Sequence, residues 1–282
     1  MVVELDRDNK IALRRLFGGY PCMHGCIAAV VEEGAGKVFV DSQENPHIAL
    51  AIIDYQFLAG DPFHESVPFL FDLFRTKKAL VAPTSDWQHV VSTTYPGKLE
   101  VYPRESFQAE HFDVYKLRRF ISELPADFEL RKVSLEDVSQ FRELSPAFSV
   151  CYSSSEEFIA KGVGMGIFHE GRFISGVSSS PLGGGKLEFE IQTHKQFRRR
   201  GFARIVAAAL ILYCLENGIE PCWDAANDDS SALAQQLGFR STGKYNIFWL
   251  PQPEGQVTAI EIVIPDRTQQ GVQPTSGTLR VL

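Results

Sequence analysis

Residues 187–203, LEFEIQTHKQFRRRGFA, decide how this chain is read. Leu187, Phe189 and Ile191 alternate with Glu188, Glu190 and Gln192, which is the two-residue period of a half-buried strand. From Phe202 the sequence FARIVAAALILYCLEN is rich in Ala, Leu and Ile and contains no proline. It runs to Gly218, a residue suited to the left-handed position after a helix end. Strand, basic turn and helix therefore follow one another directly. The first N–H groups of such a helix lack an intrahelical acceptor and lie at the positive end of its dipole. The turn Arg198, Arg199, Arg200, Gly201 is thus predicted to cradle an anion, with Gly201 letting the backbone come close to it.

The spacing Arg198-x-x-Gly201-x-Ala203 is neither of two other phosphate cradles. A Walker loop needs Gly-Lys-Ser/Thr after a four-residue gap, and a Rossmann turn needs Gly-x-Gly-x-x-Gly. The loop instead resembles the Arg/Gln-x-x-Gly-x-Gly/Ala pyrophosphate loop of the GCN5-related N-acetyltransferase (GNAT) family. Farther along, EPCWDA (220–225) reads as a short strand, followed by Asn227 and then by DDSSALAQQLGF. Asp228 or Asp229 is expected to cap this second helix and Gly238 to end it. Taken alone, Asn227 is more often a turn or cap residue than a ligand contact. The resemblance implies an asparagine near the pantetheine arm of the cofactor, and Asn227 stands twelve residues before Phe239, as that pattern has it.

The order of elements beyond Pro125 extends the likeness. FELRKV reads as a strand, SLEDVSQFREL as a helix capped by Ser134, and EEFIAKG as a helix ending at Gly162. VGMGIFHE and RFISGVSSS read as a hairpin around Glu170 and Gly171. Strand, two helices, three strands, helix, strand, helix and two strands match the GNAT fold over residues 127–265. The phrases FISGVSSS, EFEIQT and LAQQLGF resemble a bacterial subfamily that includes zwittermicin A resistance acetyltransferases, in which an additional N-terminal domain precedes the catalytic one.

Residues 1–125 are expected to form a smaller α/β domain of unassigned role. CIAAVVEE and KVFVD read there as a strand hairpin joined at Gly34, Ala35 and Gly36, and IALAIIDYQF is an apolar run open to either structure. FLFDLF and DWQHVVSTTY look helical around a strand-like ALVAP. FDVYKLRRFISEL places Phe112, Leu117, Phe120 and Leu124 largely on one helix face. The fold class is therefore a mixed-sheet α/β chain: 1–125, a GNAT domain over 126–265, and a polar, mobile tail over 266–282.

With 282 residues, the chain has ample apolar content for buried cores, and no run approaches the roughly 18 apolar residues of a membrane span. MVVELDRDNK lacks the order of a signal peptide, so the cytoplasm is the expected compartment and no membrane partner is expected. A net charge of -7 argues against a nucleic-acid partner and suits a cationic amine. The five cysteines have no framework spacing. Cys22, His24 and Cys26 recommend a zinc site only weakly, since no second pair completes four ligands, and no metal is expected.

The resemblance implies acetyl-CoA as acyl donor and a small amine as acceptor, with a homodimer possible. Its pyrophosphate would lie on Arg198, Arg199, Arg200, Gly201, Phe202, Ala203 and Arg204. Its pantetheine would run beside Ile191, Gln192 and Thr193, with Asn227 nearby, and an N–H near Thr193 would polarise the thioester carbonyl. An ammonium must lose a proton before it attacks. Glu188 and Glu190, on the polar face of the strand, are the candidate bases, although such a face is also what a merely wet strand shows. His194, on an exposed loop, is a further possible relay. The chain departs from the family pattern at Ala234, where many relatives carry a tyrosine, leaving Tyr245 as candidate acid or as an edge-of-core residue. Cys151, Tyr152 and the neighbouring serines could line an acceptor cleft, and no constellation recommends a cysteine acyl intermediate. The competing reading is a non-catalytic acyl-CoA-binding module in which the N-terminal domain contacts a protein or ligand.

Overall fold

The computed structural model describes residues 1–6, 8–74 and 78–250. The first half contains β1 (Val3–Glu4), α1 (Lys10–Phe17), α2 (His24–Glu33), β2 (Lys37–Val40), β3 (Ile48–Ile52), β4 (Gln56–Gly60), α3 (Val67–Phe71), β5 (Leu80–Val81), α4 (Ser85–Thr94), β6 (Glu100–Ala109) and α5 (Val114–Ser122). The second contains β7 (Glu129–Lys132), α6 (Val138–Leu144), α7 (Ser155–Lys161), β8 (Gly164–His169), β9 (Arg172–Gly183), β10 (Lys186–Thr193), α8 (Phe202–Glu216), β11 (Glu220–Ala225), α9 (Asp228–Leu237) and β12 (Phe239–Trp249). The predicted order beyond Pro125 is present as far as β12. The second closing strand, the reach to residue 265 and the tail 266–282 lie outside the described residues.

Three local readings need correction. CIAAVVEE lies in helix α2 and not in a hairpin strand. Its β-branched residues favour a strand locally, but the segment is apolar all round because it is packed on several sides, and burial overrides propensity. Cys26, Ile27, Val30 and Val31 join the core shared with α1, while Ala29 lies where a Cβ on Gly183 of β9 would come within 2.7 Å. Gly34, left-handed at φ 64°, ends the helix. Ser134 does not cap α6 through its side chain. Its N–H and hydroxyl both donate to Asp137, and the helix begins at Val138. Asn227, rather than either aspartate after it, is the N-cap of α9. The ambiguous run 48–57 is hairpin sequence, shared between the paired strands β3 and β4.

Among the described residues the strands hydrogen-bond in the order β1-β2-β3-β4-β5-β12-β6-β11-β10-β9-β8-β7. Pro125 falls in the connection between α5 and β7. Yet β6, which precedes it, is paired on one side with β12 and on the other with β11, both of which follow it. Strands from both halves thus share one sheet, and the described residues belong to one compact unit, Met1–Pro251.

Strand alternation gives the middle of this sheet two different faces. Phe107, Phe189, Ile191, Trp223 and Phe239 turn to one side, where they pack with Ala207, Ala208 and Ile211 of α8 and Leu117 of α5. The register places Glu188 beside Cys222, Asp224 beside Ser106 and Tyr245 beside Arg104 on the other side. That polar face is covered, not wet: Glu188 is only 6% exposed.

Candidate active site

Strands β10 and β11 are parallel neighbours over Lys186–Glu188 and Glu220–Cys222, and then part. A cleft of about 550 Å³ opens at this parting, with Ile191, Thr193, Gly201, Phe202, Trp223 and Asn227 among its walls. Gly201 stands at its mouth as N-cap of the 15-residue helix α8, with φ 85° and no side-chain cap. None of the N–H groups from Arg199 to Arg204 donates to an acceptor among the described residues. A row of unpaired donors at a positive helix end is what an oxygen-rich anion needs. A diphosphate fits this turn, and the cleft behind it has room for the rest of a coenzyme.

The arginines have other duties. Arg198 donates from Nε to the Thr193 carbonyl at 3.1 Å and from Nη2 to Gln192 Oε1 at 3.3 Å, tying the turn to β10. Gln192 Oε1 also receives the Thr193 N–H at 3.2 Å. Arg200 stacks over Phe128, Phe197 and Phe202, 5.2–5.7 Å from their centroids. Gln192 and Arg200 accordingly do not line the cleft, whereas Ile191, Thr193, Arg198, Arg199, Gly201, Phe202, Ala203, Arg204 and Asn227 do. Arg199 pairs with Asp229 at 2.7 Å in solvent, where such a pair contributes little, and Arg204 pairs with Glu123 at 2.5 Å. Asn227 Oδ1 accepts the Ser230 N–H at 3.0 Å to cap α9, and its amide nitrogen has no acceptor among the described residues.

On the opposite face the two glutamates have different neighbours. Glu188 Oε2 accepts the Gly25 N–H at 3.0 Å. Gly25 lies in the first turn of α2, whose own N-cap, Met23, offers no side-chain bond. Glu188 therefore caps a helix of the other half of the chain, with its carboxyl oxygen at the positive end of that helix. The approach is close: a Cβ on Gly25 would stand 2.6 Å from the Glu188 nitrogen. Burial, reinforced by Asp224, pushes the Glu188 carboxyl up to about 8, against the pull of the Gly25 N–H, Arg104 and the Cys26 N–H. Glu190 is half-buried and accepts no hydrogen bond from a described residue. Burial raises it to about 7, with Arg104 opposing and Asp54 adding to the rise.

Arg104 is the cation of this face. Its Nε donates to Asp224 Oδ1, its Nη2 donates to the Asp224 carbonyl at 3.3 Å, and it lies 5.8 Å from the Tyr55 ring centroid. Tyr245 donates its hydroxyl to Asp224 Oδ2 at 2.5 Å. Burial and the adjacent Asp224 push that phenol far above its ordinary value, so it holds its proton. Tyr245 does not line the cofactor cleft. His194, expected on an exposed loop, is half-buried, with Nδ1 enclosed and unpartnered among the described residues.

Cys22, His24 and Cys26 do not converge on a common point. Among the described residues the ligand atoms that do so belong to Asp41, His47 and His64. There His47 Nδ1 lies 2.9 Å from Asp41, and His64 Nδ1 accepts the Ser66 N–H, which leaves the His64 proton on Nε2, facing Asp41. Within that trio Asp41 and His47 are hydrogen-bonded, while His64 Nε2 stands 3.7 Å from Asp41.

Sequence reasoning missed Arg104, Asp224 and Gly25. Asp224 left a trace, as an acid between the buried Trp223 and Ala225 of the EPCWDA strand. Arg104 left none, because its partners lie 120 and 141 residues away across β6 pairings that no local pattern encodes.

The fold, the parted strands and the open helix N-terminus define an acyltransferase. The model of the GNAT acetyltransferase family matches residues 14–248, and the chain belongs to that family. It is similar to YdfB of Bacillus subtilis (strain 168), named an uncharacterized N-acetyltransferase, with 26% identity over 87% of this chain and 97% of that one. Among solved structures it resembles a GCN5-related N-acetyltransferase-like protein of Streptococcus suis 89/1591: 28% identity, TM-score 0.75, covering 85% of this chain and 97% of that one. A tandem GNAT protein of the clavulanic acid biosynthesis pathway shares the fold, with TM-score 0.56 at 13% identity, covering 88% of this chain and 97% of that one.

Proposed function

We propose that this acetyltransferase moves acetyl from acetyl-CoA directly to the primary amine of a small molecule, with Glu190 as the general base. The observation that carries the reading is the state of Glu190: a half-buried carboxylate, free of hydrogen bonds, brought near neutrality on the strand that forms the cofactor cleft. A base works best with a pKa close to the working pH, and Glu190 meets that condition. Glu188 is held by the N-terminus of α2 and serves position rather than proton transfer.

The turn from Arg198 to Arg204 would hold the diphosphate, and Ile191, Thr193 and Asn227 would flank the pantetheine. Bound there, acetyl-CoA supplies the thioester whose carbonyl carbon the amine nitrogen joins as the C–S bond breaks. Glu190 takes the ammonium proton, so that the nitrogen has a lone pair to use. The departing thiolate, with a solution pKa near 8.5, needs no acid for a fair rate, which suits a site whose Tyr245 keeps its proton. Cys151 has its thiol raised to about 11 by burial, a poor nucleophile, and this favours direct transfer.

We read the chain further as a cytoplasmic bacterial enzyme allied to the zwittermicin A resistance acetyltransferases. The phrase likeness and five free cysteines support that placement. A thiol-release assay across a library of amines, with product masses, tests the function. Stoichiometric acetyl-CoA binding without turnover on any amine would overturn it.

A further inference from the structure

A second cavity, of about 480 Å³, is walled by Tyr55, Tyr102, Arg104, Ala226, Ile247 and Trp249. It lies on the Glu190 side of the sheet, since Arg104 and Tyr102 alternate with residues that face α8. Strand β11 separates it from the cofactor cleft. Trp223 and Asn227 line the cleft, Asp224 holds the arginine of the cavity wall, and Ala226 forms part of that wall. A donor entering between the parted strands from one side and an acceptor waiting on the other would meet across β11, with Glu190 on the acceptor's face of the sheet and within electrostatic reach of Arg104.

Three features of this wall specify chemistry. Arg104 uses Nε and Nη2 on Asp224, while its Nη1 has no hydrogen-bond partner among the described residues. The other ionisable side chain of the wall, Glu100, accepts the Tyr102 hydroxyl at 2.7 Å, and the guanidinium nitrogen left over suits a carboxylate. Glu190, within electrostatic reach of Arg104, offers an unpartnered carboxylate for an amine. Tyr55, Tyr102, Ile247 and Trp249 offer aromatic and aliphatic surface, and the volume falls in the range of small-molecule pockets. The cavity of about 200 Å³ beside Asp54, Lys78 and Cys151 is less than half that volume, and its Lys78 ammonium is drawn toward the Ile53 and Asp54 carbonyls.

Building on the acetyl-transfer reading above, we propose that the acceptor is an α-amino acid with an apolar or aromatic side chain. Its carboxylate binds Arg104, its amine points to Glu190, and its side chain lies against Tyr55 and Trp249. The ammonium loses one proton to Glu190, the C–N bond forms as the C–S bond breaks, the second proton leaves the nitrogen and neutralises the CoA thiolate, and the products are an N-acetyl amino acid and CoA, with the Glu190 proton returned to solvent.

The test compares phenylalanine, phenylalaninamide and phenethylamine as acceptors in the thiol-release assay with the full chain. Phenylalanine is expected to show a kcat/KM at least tenfold above the other two, which keep the ring and the amine but lose the carboxylate. Trp249→Ala is expected to raise KM for phenylalanine at least tenfold, its acetyl-CoA affinity by calorimetry reporting that the variant is folded. Equal or faster acetylation of phenethylamine would remove the carboxylate contact, and an unchanged KM in a folded Trp249→Ala would remove the side-chain contact. Either result overturns the amino-acid assignment while acetyl transfer stands. Bound acetyl-CoA with no turnover on any of the three, or on a broad amine library, would take the function reading down with it.

Discussion

Replacing Glu190 by glutamine keeps the shape of the side chain and removes its charge. With its carboxyl near 7, about half of the wild-type sites carry the base at pH 7 and about a tenth at pH 6. Wild-type kcat/KM should therefore climb about tenfold per pH unit below 7 and level off above it. In Glu190→Gln the rate should drop by roughly 10²–10⁴, the usual worth of a general base, and this ascending limb should vanish. Stability should move the other way. The carboxyl binds its proton more tightly folded than unfolded, so native stability is greatest below the ordinary value near 4.5 and declines as pH rises through about 7. The amide does not ionise, and the variant should gain up to about 3 kcal/mol at pH 8, a Tm several degrees higher. Stopped-time thiol release from pH 5.5 to 9 and differential scanning calorimetry at pH 5 and pH 8 measure both. A variant that keeps the limb, or one whose Tm at pH 8 falls, would refute the assignment of Glu190 as a buried base.

Gly25→Ala puts a methyl 2.6 Å from the Glu188 backbone and should lower unfolding free energy by about 1–3 kcal/mol in urea titration; an unchanged midpoint would mean that α2 and β10 are not in contact. Gly201→Glu forces a side chain onto a φ of 85° and adds like charge, so acetyl-CoA affinity by calorimetry should weaken at least tenfold. Tyr245→Phe removes a hydrogen bond to a charged group, worth about 1.5–3 kcal/mol of stability. Its effect on rate should be the same for acetyl thioesters of strongly and weakly acidic thiols; a loss that grows with thiol pKa would restore Tyr245 as the acid. Asn227→Asp should keep the helix cap and its stability, whereas Asn227→Ala should lose about 1 kcal/mol.

What could be read from the sequence was whatever depends on neighbours along the chain. The alternation in β10, the turn at Gly201, the length of α8 and the hairpin at Glu170 and Gly171 are all set within about fifteen residues, and the structure has them in place. The helix α2 was misread because its apolar run carries no period. A segment packed on several sides looks the same in either conformation until its partners are known. The carboxylate face was visible as a pattern but not as an environment, since Glu188 and Glu190 alternate like any wetted strand. Only the pairing of β6 with β11, and the approach of Gly25 to Glu188, turn that face into an enclosed one.

In the proposed mechanism, that enclosure gives the first half of the chain a physical part in catalysis. A carboxylate in water stays near its ordinary value and cannot hold a proton at neutral pH. Raising it takes desolvation, and here the N-terminal half supplies the cover: α2 against Glu188, and the hairpin turn at Asp54 and Tyr55 beside Glu190 and Arg104. Desolvation alone would leave Glu188 and Asp224 repelling each other. The same half supplies what offsets the repulsion, the α2 N–H groups for Glu188 and the Arg104 guanidinium for Asp224. Glu190 accepts no hydrogen bond from a described residue, and in the proposed mechanism an incoming ammonium would balance its charge.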